Sequence, residues 1–97
     1  MPLYSITAKD KPNGLEHRLA VRPEHLKHLD ALGEKLVLAG PFQTEEGKAT
    51  GSFVVIEAPD LAAATALFEQ DPFVKQGVFA SYEISRWALT LNKSAGR

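Results

Sequence analysis

The chain has 97 residues, of which 44% are hydrophobic and 24% charged, and its formal net charge is −1. This composition is typical of one compact globular domain, which we expect to span residues 1–97. The absence of cysteine excludes a disulfide framework, a thiolate nucleophile and Cys-ligated metal centres. Lysine and arginine are scattered, which argues against a nucleic-acid partner. No apolar run approaches the roughly 18 residues of a membrane span, so we expect a cytoplasmic protein without a membrane partner.

The first half of the chain predicts a strand, a helix and a second strand. "PLYSITA" mixes aromatic and β-branched residues in partial alternation and precedes the polar turn "KDKPNG", which predicts a strand over residues 3–9. Pro23 suits the first position of a helix, and leucines at helical spacing follow it up to Gly33, so we expect a helix over residues 23–33. The short apolar run "KLVLAGP" is typical of a buried strand.

The second half predicts a strand, a helix and a last strand. "FQTEEGKATG" is a polar loop, and "SFVVIEA" is a strong strand pattern. Asp60 is the predicted N-cap of a second helix, which must stop before Pro72. One further turn, "FVKQG", leads into a last strand within "VFASYEISRWAL". We expect the folded core to cover about residues 3–88 and residues 89–97 to form a tail.

The predicted order of strand, helix, strand, strand, helix, strand is the ferredoxin-like βαββαβ arrangement of the α+β class. Its four-stranded antiparallel sheet carries both helices on one face. The other face must then meet water or pair with a second copy, and the strands hold more apolar side chains than two helices need to contact. We therefore expect a homodimer packed sheet to sheet, or a higher oligomer, although several of these side chains could simply border the core. They are Tyr4, Ile6, Val54, Ile56, Tyr82 and Trp87.

Two of the three histidines fall in the first turns of the predicted first helix. If Arg22 is the N-cap, His25 lies where the helix dipole favours the neutral imidazole, and it is a candidate general acid or base. A half-buried histidine bonded to a loop carbonyl is the alternative. His28 is one turn further and could share a metal ion with His25, but no third ligand is evident, and a surface pair with Glu24 also explains it.

Other candidate residues lie at the ends of predicted elements. Asp71 ends the second helix and can cap the turn that starts at Pro72, either as a cap alone or as a cap with a further function. Arg18 and Arg22 could hold a carboxylate, phenolate or phosphate, although solvated loop arginines are more common. Gly40 and Pro41 in "LAGP" could let the backbone approach a ligand, or could simply end the strand.

The pattern "xAKDKPNxLExRLxVRPxHLxxL", followed by "LxLAGP", "GSFVVIEA" and "DPFVKQGVF", resembles the YciI-like (YCII-related) family of the dimeric α+β barrel superfamily over about residues 3–88. The resemblance implies a dimer of ferredoxin-like subunits with a pocket between sheet and helices. It also implies that His25 and Asp71 form an acid/base pair. By the same motifs, Arg18, Arg22, Gly40 and Pro41 are implied to lie near the pocket.

These observations lead to a functional hypothesis with one alternative. The chain is expected to be a cofactor-free, metal-free enzyme that transfers protons on a small organic, aromatic or enolisable substrate, with lyase- or isomerase-type chemistry. A few members of the family resemble lyases that remove halide from hydroxylated aromatics. The alternative is a non-catalytic module that binds a small ligand or acts through its dimer. Haem-related or oxygen-using chemistry, found elsewhere in the superfamily, lacks a supporting metal-binding set in this sequence.

Overall fold

The computed structural model describes all 97 residues. Its four strands and three helices follow one another in the predicted order, with one turn of 3-10 helix (Gly33–Lys35) before the second strand. The elements are β1 (Leu3–Asp10), α1 (Leu15–Ala31), β2 (Leu36–Gln43), β3 (Ala49–Glu57), α2 (Leu61–Phe68), α3 (Pro72–Lys75) and β4 (Phe79–Trp87).

The strands form one antiparallel sheet in the order β2-β3-β1-β4. The two central strands, β3 and β1, belong to different βαβ halves of the chain, as the ferredoxin-like topology requires. The predicted fold class is therefore confirmed. None of the helices is long and apolar enough to cross a membrane.

Helix α1 begins eight residues earlier than predicted, at Leu15 rather than Pro23, and Pro23 lies inside it. The expected start was wrong because the buried side of α1 carries Arg18, Val21 and His25. Two of these three residues are polar, so they hide the apolar periodicity by which an amphipathic helix is normally detected. Arg22 is therefore not an N-cap, and the argument from the helix dipole at His25 does not hold, because that dipole acts within the first turn.

Two helix caps agree with the sequence. The side chain of Asp60 accepts a hydrogen bond from the N–H of Ala63 at 2.8 Å and starts α2. Asp71 starts α3 in the same way, with Pro72 as its first helical residue. The hairpin between β2 and β3 is tighter than predicted: both strands extend into the expected loop, and only residues 44–48 connect them.

The core lies between one face of the sheet and the helices. Alternating residues of β1 and β3 pair across the strands, as in Tyr4 with Ile56 and Ile6 with Val54. Tyr82 also packs against this core. The expectation that these side chains cover a second, open face was therefore wrong for all but Trp87, because strand register decides which face a residue lies on. The core cluster comprises Tyr4, Ile6, Ala8, Val21, Val54, Ile56, Ala58, Ala64, Phe68, Phe73, Val78 and Phe79.

The face turned away from the helices carries a different apolar set. Trp87 pairs with Leu3, and Val55 pairs with Leu38, on this side of the pleat. Val55 is fully buried although it lies outside the core cluster. We call this surface the open sheet face; its apolar residues are Leu3, Leu38, Phe42, Phe53, Val55 and Trp87.

Candidate active site

A cavity of about 480 Å³ lies between α1 and the β2–β3 side of the sheet. Helix α1 lines one wall with side chains that include Arg22 and His25. Strand β2 contributes Gly40 and Pro41, and the β2–β3 hairpin and α3 close the remaining sides. The size is within the range of pockets that take a small organic ligand.

His25 and Asp71, 46 residues apart in sequence, are in direct contact at this cavity. The Nδ1 atom of His25 lies 2.9 Å from Oδ1 and 2.8 Å from Oδ2 of Asp71. His25 is 7% exposed and Asp71 only 1%. A carboxylate so deeply buried needs hydrogen-bond partners, and the imidazole is one of them.

The other partner of Asp71 is the backbone of its own cap. The N–H of Phe73 donates to Oδ1 at 2.9 Å, which orients the carboxylate at the start of α3. The cap and the histidine therefore use the same oxygen, while the second oxygen serves His25 alone. The capping function predicted from sequence and the contact with His25 occur together.

The hydrogen-bond pattern determines which nitrogen of His25 is free. An ionised carboxylate can only accept, so Nδ1 must carry the hydrogen and donate it to Asp71. The neutral ring then has its lone pair on Nε2, which makes no hydrogen bond within the protein. No buried side-chain nitrogen or oxygen lacks a partner, so Nε2 is not sealed inside the core and is accessible from the cavity that His25 lines.

Phe73 holds the imidazole ring in place. Its ring is fully buried and stacks on that of His25, with the centroids 3.8 Å apart and the planes 8° from parallel. The same residue thus orients both members of the pair, the imidazole through its ring and Asp71 through its N–H. Phe73 lies in the "DPF" segment on which the family resemblance depends, but the sequence does not indicate that its ring stacks on His25.

Arg18 is buried beside this group and makes contacts that the sequence did not indicate. Its Nη1 donates to Oδ1 of Asp10 at 2.8 Å, and its Nη2 donates to Oγ of Ser52 at 2.7 Å. Its Cζ lies 4.6 Å from the centroid of the Phe73 ring, a cation–π contact. Arg18 lines the cavity, but its charge is compensated by the buried carboxylate of Asp10. Of the two alternatives for Arg18, the solvated loop arginine does not apply, because Arg18 is buried and lies within α1.

His28 lies half-buried one turn beyond His25 and is not part of an ion pair with Glu24, which instead contacts Lys27 at 3.3 Å. That expected pair was wrong. Burial lowers the pKa of His28 below its usual value, and attraction by Asp71 opposes this effect only in part. No group of three or more His, Cys, Asp or Glu side chains is arranged to hold a metal ion.

Gly40 and Pro41 line the cavity from β2, and Arg22 lines it from α1. A Cβ atom added at Gly40 would meet nothing within 4 Å, so packing within one subunit does not require glycine there. The cavity also includes Lys48 and Gln43 from the β2–β3 hairpin. The sequence does not indicate these residues, because the hairpin segment shows only the pattern of a polar loop and the tertiary fold brings it over the cavity.

The YCII-related domain family matches residues 2–88. The chain belongs to the YCII-related family. Among YCII-related relatives, protein YciI of Escherichia coli O6:H1 is 44% identical, with 79% of this chain and 87% of that protein covered. An uncharacterized protein of Haemophilus influenzae is 42% identical over the same shares.

Solved structures of similar fold include one with a named activity. The 5-chloro-2-hydroxyhydroquinone dehydrochlorinase TftG from Burkholderia phenoliruptrix AC1100, in complex with 2,5-dihydroxybenzoquinone, is 34% identical, with a TM-score of 0.81 over 89% of this chain and 93% of that one. An antibiotic biosynthesis monooxygenase is similar at a TM-score of 0.58 and 13% identity, covering 94% of this chain and 100% of that one, a likeness of fold alone. These neighbours have the subunit fold of the dimeric α+β barrel superfamily, as predicted.

Proposed function

We propose that this YCII-related protein is a cofactor-free enzyme that transfers protons on a small aromatic or enolisable molecule bound in the cavity. His25 acts as the general base and acid through Nε2. Asp71 orients the imidazole and stabilises its charged form. The observation that carries the proposal is the buried pair itself: Nδ1 of His25 lies 2.8 Å from an oxygen of Asp71, Nε2 makes no hydrogen bond within the protein, and His25 lines the cavity.

The proposed chemistry is a proton relocation without an external oxidant. Nε2 of His25 removes a proton from a ring hydroxyl or from a carbon beside a carbonyl, and the electron pair delocalises over the ring as a phenolate or enolate. The imidazolium returns the proton to a different atom, which completes an isomerisation. Where the protonated carbon carries a halide, His25 then removes a second proton, from a ring hydroxyl. The halide departs with the carbon–halogen electron pair, so the net reaction is the loss of HX.

The similarity to TftG supports hydroxylated aromatic or quinone-like rings as the substrate class. That protein is a dehydrochlorinase bound to a dihydroxybenzoquinone, and its 34% identity extends over most of this chain. In the proposal Arg22, Gly40 and Pro41 contact the substrate, since all three line the cavity with His25. In the proposal Arg18 supports the site through its contacts with Phe73 and Asp10.

We further propose that two copies assemble through the open sheet face. This face presents the side chains of Phe42 and Phe53, whose ring centroids lie 6.3 Å apart, together with Trp87. Exposed apolar surface of this kind is typical of interaction sites. Light scattering should give the wild type twice the mass of one chain, and Phe53→Glu should reduce it to that of one chain. A monomeric wild type would exclude the dimer without affecting the proposed chemistry.

The experiment that tests the proposed activity follows proton transfer directly. In D₂O, the rate of exchange of the ring hydrogens of 2,5-dihydroxybenzoquinone is measured by NMR, and chloride release is measured with 5-chloro-2-hydroxyhydroquinone. Wild type should accelerate at least one of these reactions, and His25→Gln should lower the rate by about 10²- to 10⁴-fold. His17→Gln is the matched control, because His17 is exposed on the same helix and does not line the cavity.

Two results distinguish the proposed enzyme from the alternative. If His25→Gln binds the quinone as well as wild type does but loses turnover, His25 acts in the chemistry. If wild type binds the quinone and accelerates neither reaction, the proposed proton-transfer activity is wrong. The protein is then a module that binds a small ligand.

A further inference from the structure

The charged side chains around the cavity are all of one sign. They are Arg18, Arg22 and Lys48, and no Asp or Glu is among the residues that line it. The side chains of the two acids that approach the site, Asp10 and Asp71, are buried and accept hydrogen bonds from Arg18 and His25. A cavity lined by cations without facing acids attracts anionic ligands.

The three cations differ in their availability to a ligand. Arg18 forms an ion pair with Asp10 at 2.8 Å, so its positive charge is neutralised within the protein. Arg22 and Lys48 are exposed and take part in none of the ion pairs of the structure. The net positive charge that faces the cavity therefore comes from these two residues.

Arg22 and Lys48 stand on different elements. Arg22 lies three residues before His25 on α1, which puts both on the same side of the helix. Lys48 belongs to the hairpin that lines the cavity from the sheet. A ligand between helix and hairpin can therefore meet a cation from each side while its ring remains beside His25.

The hairpin holds Lys48 in place through its own hydrogen bonds. The N–H of Lys48 donates to Oγ1 of Thr44 at 3.2 Å, and the carbonyl of Lys48 accepts from the N–H of Thr44 at 2.9 Å. The side-chain amide of Gln43 donates to the carbonyl of Gly47 at 3.2 Å. Gly47 itself has a φ of 84°, which glycine adopts without strain. The backbone of Lys48 is thus held in position before a ligand binds.

The cavity that Arg22 and Lys48 line is largely apolar. Leu26 and Leu29 from α1 and Val54 from β3 line it, together with the ring of Phe73. A flat hydrophobic ring fits such a surface, and a strongly hydrated ion without a ring does not.

We infer that the ligand of this cavity is a planar ring compound that carries a negative charge, as a carboxylate or an ionised hydroxyl, held between Arg22 and Lys48. The inference rests on the proposed function in that it names the substrate class of the same cavity. Binding of the anion itself does not require the proposed proton transfer. Lys48 is then a specificity-determining residue of the hairpin.

The test compares anions with neutral compounds of the same shape. Benzoate, 2-hydroxybenzoate and 2,5-dihydroxybenzoate, each paired with its carboxamide, are titrated into the protein by calorimetry at low salt. Each carboxylate should bind more tightly than its amide, and the difference should shrink when the salt concentration is raised. Arg22→Gln and Lys48→Gln should each weaken carboxylate binding by about three- to tenfold. Lys35→Gln, which removes a charge outside the cavity, should leave the affinity unchanged.

The outcomes separate this inference from the proposed activity. Equal affinity for acids and amides overturns the inference, as does the absence of binding by any pair or an unchanged affinity in Lys48→Gln. Selective binding of the acids by a protein that accelerates no proton transfer would remove the proposed enzyme but leave the anion site. His25→Gln should retain the selectivity for acids, because the discriminating charges are those of Arg22 and Lys48.

Discussion

Replacing Asp71 by Asn tests the relation between the helix cap and the histidine. The substitution keeps the shape of the side chain and one carbonyl oxygen, but exchanges the second oxygen for an NH₂ group. The N–H of Phe73 requires an acceptor 2.9 Å away, so the remaining oxygen stays at the cap. The new NH₂ group then occupies the Oδ2 position, 2.8 Å from Nδ1 of His25.

Two donors cannot share that contact, although a protonated Nδ1 would still lie 2.9 Å from the remaining oxygen. We expect the tautomer in which the amide donates to an unprotonated Nδ1, because it removes the clash between the two donors. The hydrogen of the neutral imidazole moves to Nε2, which loses the lone pair that faces the cavity. The variant also loses a buried charge-assisted hydrogen bond, for which we expect a loss of about 1.5–3 kcal/mol in the free energy of unfolding. Its proton-transfer rate should fall by about 10²- to 10⁴-fold.

The assay is urea denaturation at neutral pH combined with ¹⁵N NMR of the imidazole nitrogens, whose chemical shifts report which nitrogen carries the hydrogen. Asp60→Asn is the matched control. Asp60 caps α2 by the same kind of bond, 2.8 Å from the N–H of Ala63, and is exposed. Because Asn is as good an N-cap as Asp, the control should lose only a few tenths of a kcal/mol. An equal loss in both variants and unchanged ¹⁵N shifts of His25 would refute the reasoning and reduce Asp71 to a cap.

Three further substitutions test the surroundings of the site. Arg18→Met leaves the carboxylate of Asp10 buried without its partner. In urea denaturation it should lower the free energy of unfolding by about 3–5 kcal/mol. Adding Asp10→Asn to this variant should partly restore the lost stability. Burial lowers the pKa of His28 in the folded state, so its protonation favours the unfolded chain. As the pH falls through 6.5, wild type should therefore lose stability relative to His28→Gln. Parallel pH profiles of the free energy of unfolding would contradict this. Gly51→Ala should lower the thermal midpoint strongly, because the added Cβ would lie 2.3 Å from the carbonyl oxygen of Ala8 in the neighbouring strand, and a midpoint close to wild type would show that the strands can separate to admit it.

The order of strands and helices followed from local features of the sequence. Alternating and continuous apolar runs, turn residues and two N-cap aspartates depend on neighbouring residues only, so a single sequence contains them. Asp60 and Asp71 start helices as predicted. The start of α1 was predicted wrongly because Arg18 and His25 occupy its buried side, where apolar residues would have indicated a helix.

The family resemblance named His25 and Asp71 as a pair, but their contact depends on the packing of α3 against α1. Phe73 and Ser52 joined the site only in the folded chain, since each lies far in sequence from the side chain it contacts. Asp10 is eight residues from Arg18, but on a different element, β1. Sequence alone thus determined the order of strands and helices, the topology that follows from it and, through the family resemblance, the candidate pair. Tertiary structure decided the strand faces, the free nitrogen of His25 and the position of Lys48, because register and helix packing are long-range properties that no local pattern contains.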